Sequence, residues 1–406
     1  MKEKKKKNGK WIKFRHNIVR HLAFAVIYPY SRIKYGLRLK KIKLPKDKRY
    51  LVLYNHQTAF DQFFVGMPFK SHVYYVASED LFSNGFVSSL IKYLVNPIPI
   101  KKQSTDVRAI LNCMRVAKEG GSIALSPEGN RTYSGKTEYM NPSIAMLAKK
   151  LALPIALFRI EGGYGVHPRW SDVVRRGKMD CYVSRIIEPE EYKDLSNEEL
   201  FEIIKDGLYV DETKSDAEFH HKRSAEYLER AIYVCPECGL SRFESSGDEI
   251  KCKSCGLGAR YTSKKEFVSE NEKFPFKNVC EWYEYQKKFV LELDISKYFD
   301  SPVYEERASF KEVILCKKKL KIFDECRILL YGNRLEVGEG EGAMVLDFDD
   351  MSSVAVLGKN KINIYHKDKI YQIKGDKRFN ALKFVNIYYR YVLYKKGDTE
   401  SDFLGL

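Results

Sequence analysis

The chain has 406 residues, a formal net charge of +17 and a hydrophobic fraction of 44%. Residues 1–50 hold 18 basic and 2 acidic side chains, whereas the other 356 residues hold 53 basic and 52 acidic ones. Because the charge lies on a terminal arm and not on the body, a nucleic-acid partner is not expected. The composition excludes a disordered chain, and every uncharged run is shorter than the roughly 20 residues of a spanning helix.

The N-terminal arm predicts an amphipathic helix. Behind the lysines of residues 4–7, apolar side chains recur at three- and four-residue steps, at Trp11, Phe14, Ile18, Leu22 and Ala25. The pattern favours a helix that ends near Pro29 and lies in a membrane interface, and the alternative is a helix packed on the protein's own core. Two arginines interrupt the apolar centre, so no secretory signal is expected. His16 and His21 are expected to be solvated.

Residues 43–189 alternate between strand and helix patterns. Apolar runs predict strands at 51–54, 73–77, 122–125 and 155–159, and helical spacing predicts helices at 106–119 and 142–151. Residues 190–230 are acidic and predicted to be helical. The alternation predicts an α/β layer with a buried sheet.

The character of the sequence changes near residue 285. Seven short β-rich runs are followed by a helical segment at 379–394, and the runs cover residues 289–293, 313–316, 327–331, 343–348, 354–357, 362–365 and 371–373. Residues 332–333 and 338–342 are predicted turns. Seven strands and a closing helix resemble a pleckstrin-homology or GRAM-type barrel.

A histidine and an aspartate lie in the loop after the first predicted strand, in the segment NHQTAFD at residues 55–61. A general base needs a carboxylate on its second ring nitrogen, and His56 can meet Asp61 if the aspartate lies in the first turn of a helix. The structural alternative is a capping box made by Thr58 and Asp61. The two interpretations are compatible.

A second polar segment, SPEGNRT at residues 126–132, follows the strand predicted at 122–125. Gly129 permits close approach of the backbone to a ligand, and Arg131 offers a bidentate fork for a phosphate. Glu128 is suited to accept from a substrate hydroxyl or to orient Arg131. The alternative is a turn with a surface Glu–Arg pair. Lys101 and Lys102 follow another apolar run and by themselves predict only solvated cations.

Two CxxC pairs separated by thirteen residues predict a zinc ribbon, with Cys235, Cys238, Cys252 and Cys255 as ligands. Four thiolates close a tetrahedral site and leave no position for water, so the zinc would be structural. The alternative is a redox dithiol. The other five cysteines are scattered, which is typical of a reducing cytosol.

The segments at 55–61, 98–102, 126–131 and 153–155 resemble, in order and spacing, the 1-acyl-glycerol-3-phosphate acyltransferase family. The resemblance covers roughly residues 45–190 and implies an α/β acyltransferase domain with a mixed sheet flanked by helices. It implies His56 as the general base, Asp61 as its orienting partner, and an acceptor site that contains Glu128, Gly129, Arg131, Lys101 and Lys102. Two departures are lysine in place of arginine at 101–102 and the missing second proline in LPIALF at 153–158.

The implied reaction transfers an acyl group from acyl-CoA or acyl-carrier protein to the hydroxyl of lysophosphatidic acid, giving phosphatidic acid. The alternatives are acyl transfer to another lysolipid and a non-catalytic membrane-docking protein. The expected partners are an anionic membrane surface, the lysophospholipid and the acyl donor, with acyl-carrier protein as a protein partner if it is that donor. The expected location is peripheral, on the cytoplasmic face of the cell membrane.

The predicted order of domains follows from these segments. Residues 1–42 form the arm and interface helix, and residues 43–230 form the acyltransferase domain. A small zinc ribbon follows at 231–262, and a β-barrel-like domain closed by a helix occupies 285–396.

Overall fold

A mixed seven-stranded sheet dominates the first half of the computed structural model, which describes residues 9–101, 106–315 and 317–406. Its strands are β1 (Leu37–Leu39), β2 (Leu51–Tyr54), β3 (Val73–Ser78), β4 (Ile98–Ile100), β5 (Ser122–Leu125), β6 (Ile155–Glu161) and β7 (Met179–Ile187). The spatial order is β1-β7-β6-β2-β5-β3-β4. Strand β7 runs antiparallel to β6, and the other pairs are parallel. The predicted mixed sheet is confirmed.

The sheet is buried on both faces. Leu51 and Leu53 of β2 belong to one core, whereas Val52 and Tyr54 belong to another, as the alternation of side chains along a strand requires. One helix precedes the strands and the others lie between or after them: α1 (Phe14–Lys34), α2 (Asp61–Val65), α3 (Phe86–Val95), α4 (Val107–Lys118), α5 (Ser143–Leu151), α6 (Gly163–Val166), α7 (Pro189–Tyr192) and α8 (Asn197–Leu208). Helices α4, α5 and α8 cover the face that carries Leu51 and Leu53.

The helical prediction for residues 190–230 is wrong in its second half. The chain leaves the helical conformation after Leu208, and short 3₁₀ turns at Glu212–Lys214 and Leu228–Arg230 follow. The intervening segment pairs instead with a distant loop, because the backbone of His220 exchanges hydrogen bonds with Arg176. Phe219 is buried there, close to two glycines where a larger residue would clash.

Helix α1 differs from the prediction at both ends. It continues through Pro29 to Lys34, although a proline inside a helix removes one backbone hydrogen bond, so the predicted end at Pro29 is wrong. Trp11 lies before the helix, and its indole Nε1 donates to the carbonyl of Asn96 at 2.9 Å. His16 is buried against the Tyr74 hydroxyl at 2.9 Å, so the expectation that it is solvated is also wrong.

The cysteine segment forms two small sheets. Strands β8 (Val234–Cys235) and β9 (Gly239–Leu240) make a hairpin. A four-stranded antiparallel sheet follows, consisting of β10 (Phe243–Ser246), β11 (Glu249–Cys252), β12 (Gly258–Tyr261) and β13 (Phe267–Val268). These strands share one hydrophobic core with Trp170 on one side and with the C-terminal sheet on the other.

The strand predicted at 289–293 is wrong, because those residues fall at the end of helix α9 (Val279–Glu292) and just beyond it. The Asn278 side chain caps this helix, and buried residues recur at helical spacing at Trp282, Gln286 and Val290. The capping residue and the four-residue spacing of these side chains are the sequence pattern that indicates this helix.

Seven antiparallel strands follow α9: β14 (Tyr304–Ile314), β15 (Lys318–Leu330), β16 (Arg334–Val337), β17 (Met344–Asp347), β18 (Met351–Leu357), β19 (Lys361–His366) and β20 (Lys369–Gly375). Their order is β17-β16-β15-β14-β20-β19-β18, an open half-barrel with β17 and β18 at its edges. Strand β16 and most of β14 were not predicted, and Cys316 lies outside the described residues. Helix α10 (Leu382–Lys396) packs on β18, where the Tyr388 hydroxyl donates to the Met351 carbonyl at 2.8 Å. The pleckstrin-homology likeness stays a prediction.

Within the described ranges, every helix is too short or too polar to cross a membrane.

Candidate active site

His56 and Asp61 meet at the end of β2, as their spacing predicted. His56 precedes α2, Asp61 is the first residue of that helix, and His56 Nδ1 lies 2.8 Å from Asp61 Oδ2. Because an ionised carboxylate only accepts hydrogen bonds, this contact places the imidazole proton on Nδ1 and leaves Nε2 as the basic nitrogen. The aspartate side chain is fully buried, whereas the histidine side chain is 22% exposed.

The predicted capping box is not formed, because the N-cap residue of α2 is Phe60 and not Thr58, but the Asp61 carboxylate does hold the loop before the helix. Asp61 Oδ2 accepts from the backbone N–H of Gln57 at 2.7 Å, and Oδ1 accepts from the Thr58 hydroxyl at 2.6 Å. The Thr58 backbone N–H also donates to Asp61, and Thr58 Oγ1 accepts from the N–H of Phe60. Asp61 is therefore fixed by three donors as well as by His56, which limits the orientations open to the imidazole ring.

Glu128 joins the polar segment at 126–132 to the polar segment at 55–61. Its Oε1 accepts from the backbone N–H of His56 at 2.7 Å, and its Oε2 accepts from the N–H of Glu138 at 3.2 Å. Burial raises the pKa of Glu128 to about 8, against the lowering effect of these two N–H groups. Both carboxylate oxygens are thus used to hold backbone, and the predicted contact of Glu128 with the acceptor stays a prediction.

Gly129 and Arg131 lie in the turn that follows β5. Gly129 adopts a φ of +64°, in the left-handed region that favours glycine, and its Cα faces open space. Arg131 Nη2 lies 3.5 Å from the carbonyl oxygen of Gly358, and its buried Nη1 has no hydrogen-bond partner among the described residues. Burial and the neighbouring Arg169 lower the pKa of Arg131 to about 10.

Arg169 is a second cation at this place, and no sequence pattern predicts it. It is only 2% exposed and its Nη1 donates to the carbonyl oxygen of Arg131 at 2.9 Å. Its guanidinium lies over the ring of Tyr133, with 4.5 Å from Cζ to the ring centroid. Its Nε lies 3.4 Å from the Gly358 carbonyl oxygen. Two buried guanidinium groups therefore share one carbonyl acceptor.

A cavity of about 1220 Å³ contacts both the loop of His56 and the two arginines, Arg131 and Arg169. His56, Glu128, Gly129, Arg131 and Arg169 line it, together with apolar side chains of α1, α3, α4 and α5. Lys101 also lines the cavity and is exposed, and its backbone N–H donates to Asp106 at 3.0 Å. Lys102 lies outside the described residues. The cavity thus offers one wall of basic groups and several apolar walls.

The C-terminal sheet borders the same cavity. The turn at 358–360 between β18 and β19 carries the Gly358 carbonyl, and Phe403 and Leu406 also line the cavity. Lys359 Nζ pairs with Asp172 at 2.8 Å, and Arg230 reaches the same carboxylate at 2.8 Å. Directly after this turn, Lys361 of β19 pairs with Asp80 at 3.3 Å, and Lys319 of β15 pairs with the same carboxylate at 2.6 Å.

The four predicted zinc ligands lie together. The sulfur atoms of Cys235, Cys238, Cys252 and Cys255 are all within 4.8 Å of one another. Cys235 Sγ and Cys255 Sγ are 3.6 Å apart, and all four cysteines are free of disulfides. A set of four thiols at this separation fits a tetrahedral metal ion.

Residues 39–160 match the family model described as Acyltransferase. A curated relative, the 1-acyl-sn-glycerol-3-phosphate acyltransferase of Bacillus subtilis (strain 168), is 22% identical over 172 residues, which is 41% of this chain and 81% of the relative. The resemblance predicted from the sequence is confirmed for this part of the chain, and the protein is an acyltransferase.

A solved structure, the 1-acyl-sn-glycerophosphate (LPA) acyltransferase PlsC from Thermotoga maritima, is similar over 48% of this chain and 78% of that chain. The sequence identity is 22% and the TM-score is 0.41. The cysteine segment and the C-terminal sheet lie outside residues 39–160, and so does Arg169.

Proposed function

We propose that the protein transfers an acyl group from a thioester to the free hydroxyl of lysophosphatidic acid, giving phosphatidic acid. The observation that carries the proposal is the pair made by His56 and Asp61 at the edge of a cavity that also holds Arg131. A base, an anion-binding group and apolar walls are the three parts that this reaction needs.

In the proposed reaction His56 Nε2 takes the proton of the acceptor hydroxyl as its oxygen attacks the thioester carbonyl. The imidazolium that forms is stabilised by the carboxylate of Asp61, 2.8 Å from Nδ1. A new ester C–O bond forms, the C–S bond breaks, and the thiolate leaves with the proton returned from His56. Acyl-CoA or acyl-carrier protein supplies the thioester, and the reaction needs no acyl-enzyme.

Arg131 is the proposed binding group for the acceptor phosphate. Its Nη1 is buried without a partner among the described residues, and a buried donor of this kind costs free energy until an acceptor satisfies it. Lys101, at the rim of the same cavity, and Lys102 would add attraction for the anion at longer range. Gly129 leaves open space in which the phosphate can approach the backbone.

Membrane docking through α1 and α3 is part of the proposal. The apolar stripe predicted on the arm faces outward, with Phe14 80% and Leu22 66% exposed, while Val19 and Ile27 of the same helix line the cavity. Helix α3, which contacts α1, exposes 81% of Phe86. Arg15 stacks on Tyr93 of α3, at 3.9 Å from the ring centroid.

Apolar side chains flanked by arginine and lysine are typical of a helix that lies in an anionic membrane interface. The cavity then opens beside the surface in which the lysolipid acceptor is dissolved. The lysines at 4–7, which lie outside the described residues, would strengthen the attraction by about 1 kcal/mol each near an anionic leaflet. The proposed location is therefore peripheral, at the cytoplasmic face of the cell membrane.

A zinc ion bound by the four cysteines is the proposed structural cofactor. The segment around them shares one hydrophobic core with Trp170 and the C-terminal sheet. On the C-terminal side, Trp282 Nε1 donates to the Val234 carbonyl at 2.8 Å and the Tyr304 hydroxyl donates to the Tyr233 carbonyl at 3.1 Å. A metal that stabilises this segment would fix how the C-terminal sheet lies against the cavity. The proposed domains are those predicted at 1–42, 43–230, 231–262 and 285–396, with β1 added to the acyltransferase domain and β13 to the cysteine segment.

The test is thiol release by the purified full-length protein with acyl-CoA or acyl-carrier protein and a panel of lysolipids in anionic vesicles. Wild type is expected to acylate lysophosphatidic acid, and His56→Ala is expected to lose the activity while its melting temperature is kept. His220→Ala, which removes an exposed histidine, is the matched control. Turnover by His56→Ala at the wild-type rate would refute the role of the base, and no turnover of any lysolipid by wild type would refute the function.

A further inference from the structure

We propose that Arg169 and the turn at 358–360 of the C-terminal sheet complete the acceptor site, and that together with Arg131 they select a doubly charged phosphate monoester over a phosphodiester. The inference rests on the proposed acyl transfer to a lysophospholipid and assigns the headgroup that the site prefers. It gives the C-terminal sheet a part in substrate recognition, although that sheet lies outside the residues that match the acyltransferase family.

The two guanidinium groups are placed to act on one ligand. Arg169 Nη1 donates to the carbonyl oxygen of Arg131, and both side chains line the same cavity. Arg169 is 98% buried, since only 2% of it is exposed, and its ring contact with Tyr133 fixes the plane of the guanidinium. Two like charges held this close out of water require a compensating anion.

The carbonyl oxygen of Gly358 is only a weak substitute for that anion. It lies 3.5 Å from Arg131 Nη2 and 3.4 Å from Arg169 Nε, and both distances are at the long end for a hydrogen bond. A phosphate oxygen would form charge-assisted bonds of about 2.7–2.9 Å to the same donors. The carbonyl oxygen therefore orients two donors, and both can exchange it for a stronger acceptor.

The surroundings of the pair are strongly positive. His167 is buried nearby, and burial together with Lys359, Arg131 and Arg175 lowers its pKa to about 3. Asp172 is already paired with both Arg230 and Lys359, and among the described residues neither Arg131 nor Arg169 has a carboxylate within ion-pair distance. The positive charge of Arg131 and Arg169 is thus left for a ligand.

The turn is a fixed wall and not a mobile flap. Lys359 in the turn is paired with Asp172, and Lys361 at the start of β19 is paired, together with Lys319, with Asp80. Gln372 Nε2 adds a hydrogen bond to Asp80 at 3.0 Å. An acceptor headgroup that enters beside Arg131 must therefore fit between the SPEGNRT turn and the Gly358 turn.

The charge of the ligand follows from these two cations. A phosphate monoester carries a charge of about −1.5 to −2 near pH 7, whereas a phosphodiester carries one unit. Two guanidinium groups match the charge of the monoester, whereas a phosphodiester leaves one of the two positive charges without a compensating anion. Lysophosphatidic acid and lysophosphatidylglycerol share the glycerol backbone and differ in this respect, so they are suitable probes.

The experiment compares kcat/KM for lysophosphatidic acid and lysophosphatidylglycerol in wild type, Arg169→Gln and Arg169→Lys. Arg169→Gln is expected to raise KM for lysophosphatidic acid roughly tenfold or more, as expected for the loss of a charged hydrogen bond, with kcat nearly unchanged. The preference for the monoester should fall by the same factor. Arg169→Lys, which keeps the charge, should restore part of it, and Arg176→Gln, an exposed arginine of the same segment, should change neither constant.

A second variant tests the turn without touching the buried arginine. Lys359→Ala removes the pairing with Asp172 and is expected to shift the monoester preference in the same direction, whereas Lys374→Ala on the exposed side of β20 should not. If wild type acylates lysophosphatidic acid and both Arg169→Gln and Lys359→Ala keep its headgroup preference, the inference is overturned and the proposed function stands. If wild type acylates no lysolipid, the proposed function itself fails. Should Arg169→Gln not fold, Lys359→Ala decides.

Discussion

The two halves of the active site are held by contacts of different range. His56 and Asp61 are five residues apart in the chain and are joined by one 2.8 Å hydrogen bond. Arg131 instead reaches Gly358, 227 residues away, and Asp172 reaches Lys359, 187 residues away. The base side of the site is thus a property of one loop, whereas the acceptor side exists only when the two large sheets pack together. Changes to the first should act on kcat, and changes to the second should act on KM.

The strongest test of the base side is Asp61→Asn. Asparagine keeps the size of the side chain but presents a donor where His56 Nδ1–H needs an acceptor, so the imidazole loses its orientation and its stabilising charge. We expect kcat to fall roughly 10²- to 10⁴-fold, the range of general-base catalysis, with little change in KM. Asp194→Asn, an exposed aspartate, is the control. A higher KM at unchanged kcat would contradict the division between the two sides.

The exposed apolar face of α1 is expected to bring the whole site to the membrane. Phe14→Ser combined with Leu22→Ser should weaken binding to anionic vesicles by roughly tenfold or more, because each buried apolar side chain contributes about 1.5–3 kcal/mol. Cosedimentation with the vesicles measures the effect. Val345→Ser removes an apolar side chain that is 60% exposed on the C-terminal sheet and should leave binding unchanged. A loss with Val345→Ser instead would move the membrane surface to the other half of the molecule.

Loss of the proposed zinc ion is expected to weaken binding of the acceptor. Cys238→Ala removes an exposed ligand, so packing is kept, and we expect the protein to lose about one zinc per chain, to melt at a lower temperature and to show a several-fold higher KM for lysophosphatidic acid. Metal analysis and steady-state kinetics measure these changes. Ser254→Ala in the neighbouring CxxC loop is the control. Stoichiometric zinc in Cys238→Ala would contradict the assignment of the ligands.

The smallest expected effect is a pH dependence of stability at the start of α1. Burial lowers the pKa of His16 and of His72 to about 4, whereas an unfolded histidine titrates near about 6.5. Between these values the unfolded chain binds more protons, so the free energy of unfolding falls as the pH falls from 6.5 toward 4.

Melting temperatures at pH 7 and pH 5 measure this dependence. His16→Gln should reduce the difference between the two pH values, even if it lowers both melting temperatures. His220→Gln, an exposed histidine, should leave the difference at its wild-type size. An equal pH dependence in wild type and His16→Gln would show that this histidine contributes nothing to it.

The range of the contacts also explains which predictions succeeded. Strands β2, β5 and β6 are short apolar runs bounded by polar turns, and the sequence pattern located each of them within two residues. Helix α9 was misread because its aromatic residues have a high β propensity, and packing against the cysteine segment decides their helical conformation. The sequence pattern predicts a helix end at Pro29, but tertiary contacts of α1 with α3 and β1 accompany its continuation to Lys34.

The sequence by itself determined the meeting of His56 with Asp61, because His56, Thr58 and Asp61 are close enough in the chain for their side chains to meet around one helix start. It also determined the cluster of four cysteines proposed as metal ligands, whose spacing brings four sulfur atoms together in two adjacent loops. Only the tertiary structure decided that Arg169 joins Arg131, that Glu128 holds the backbone of His56, and that a turn of the C-terminal sheet borders the cavity. Contacts between residues 38 to 227 positions apart depend on how whole sheets pack, and a local pattern carries no record of that packing.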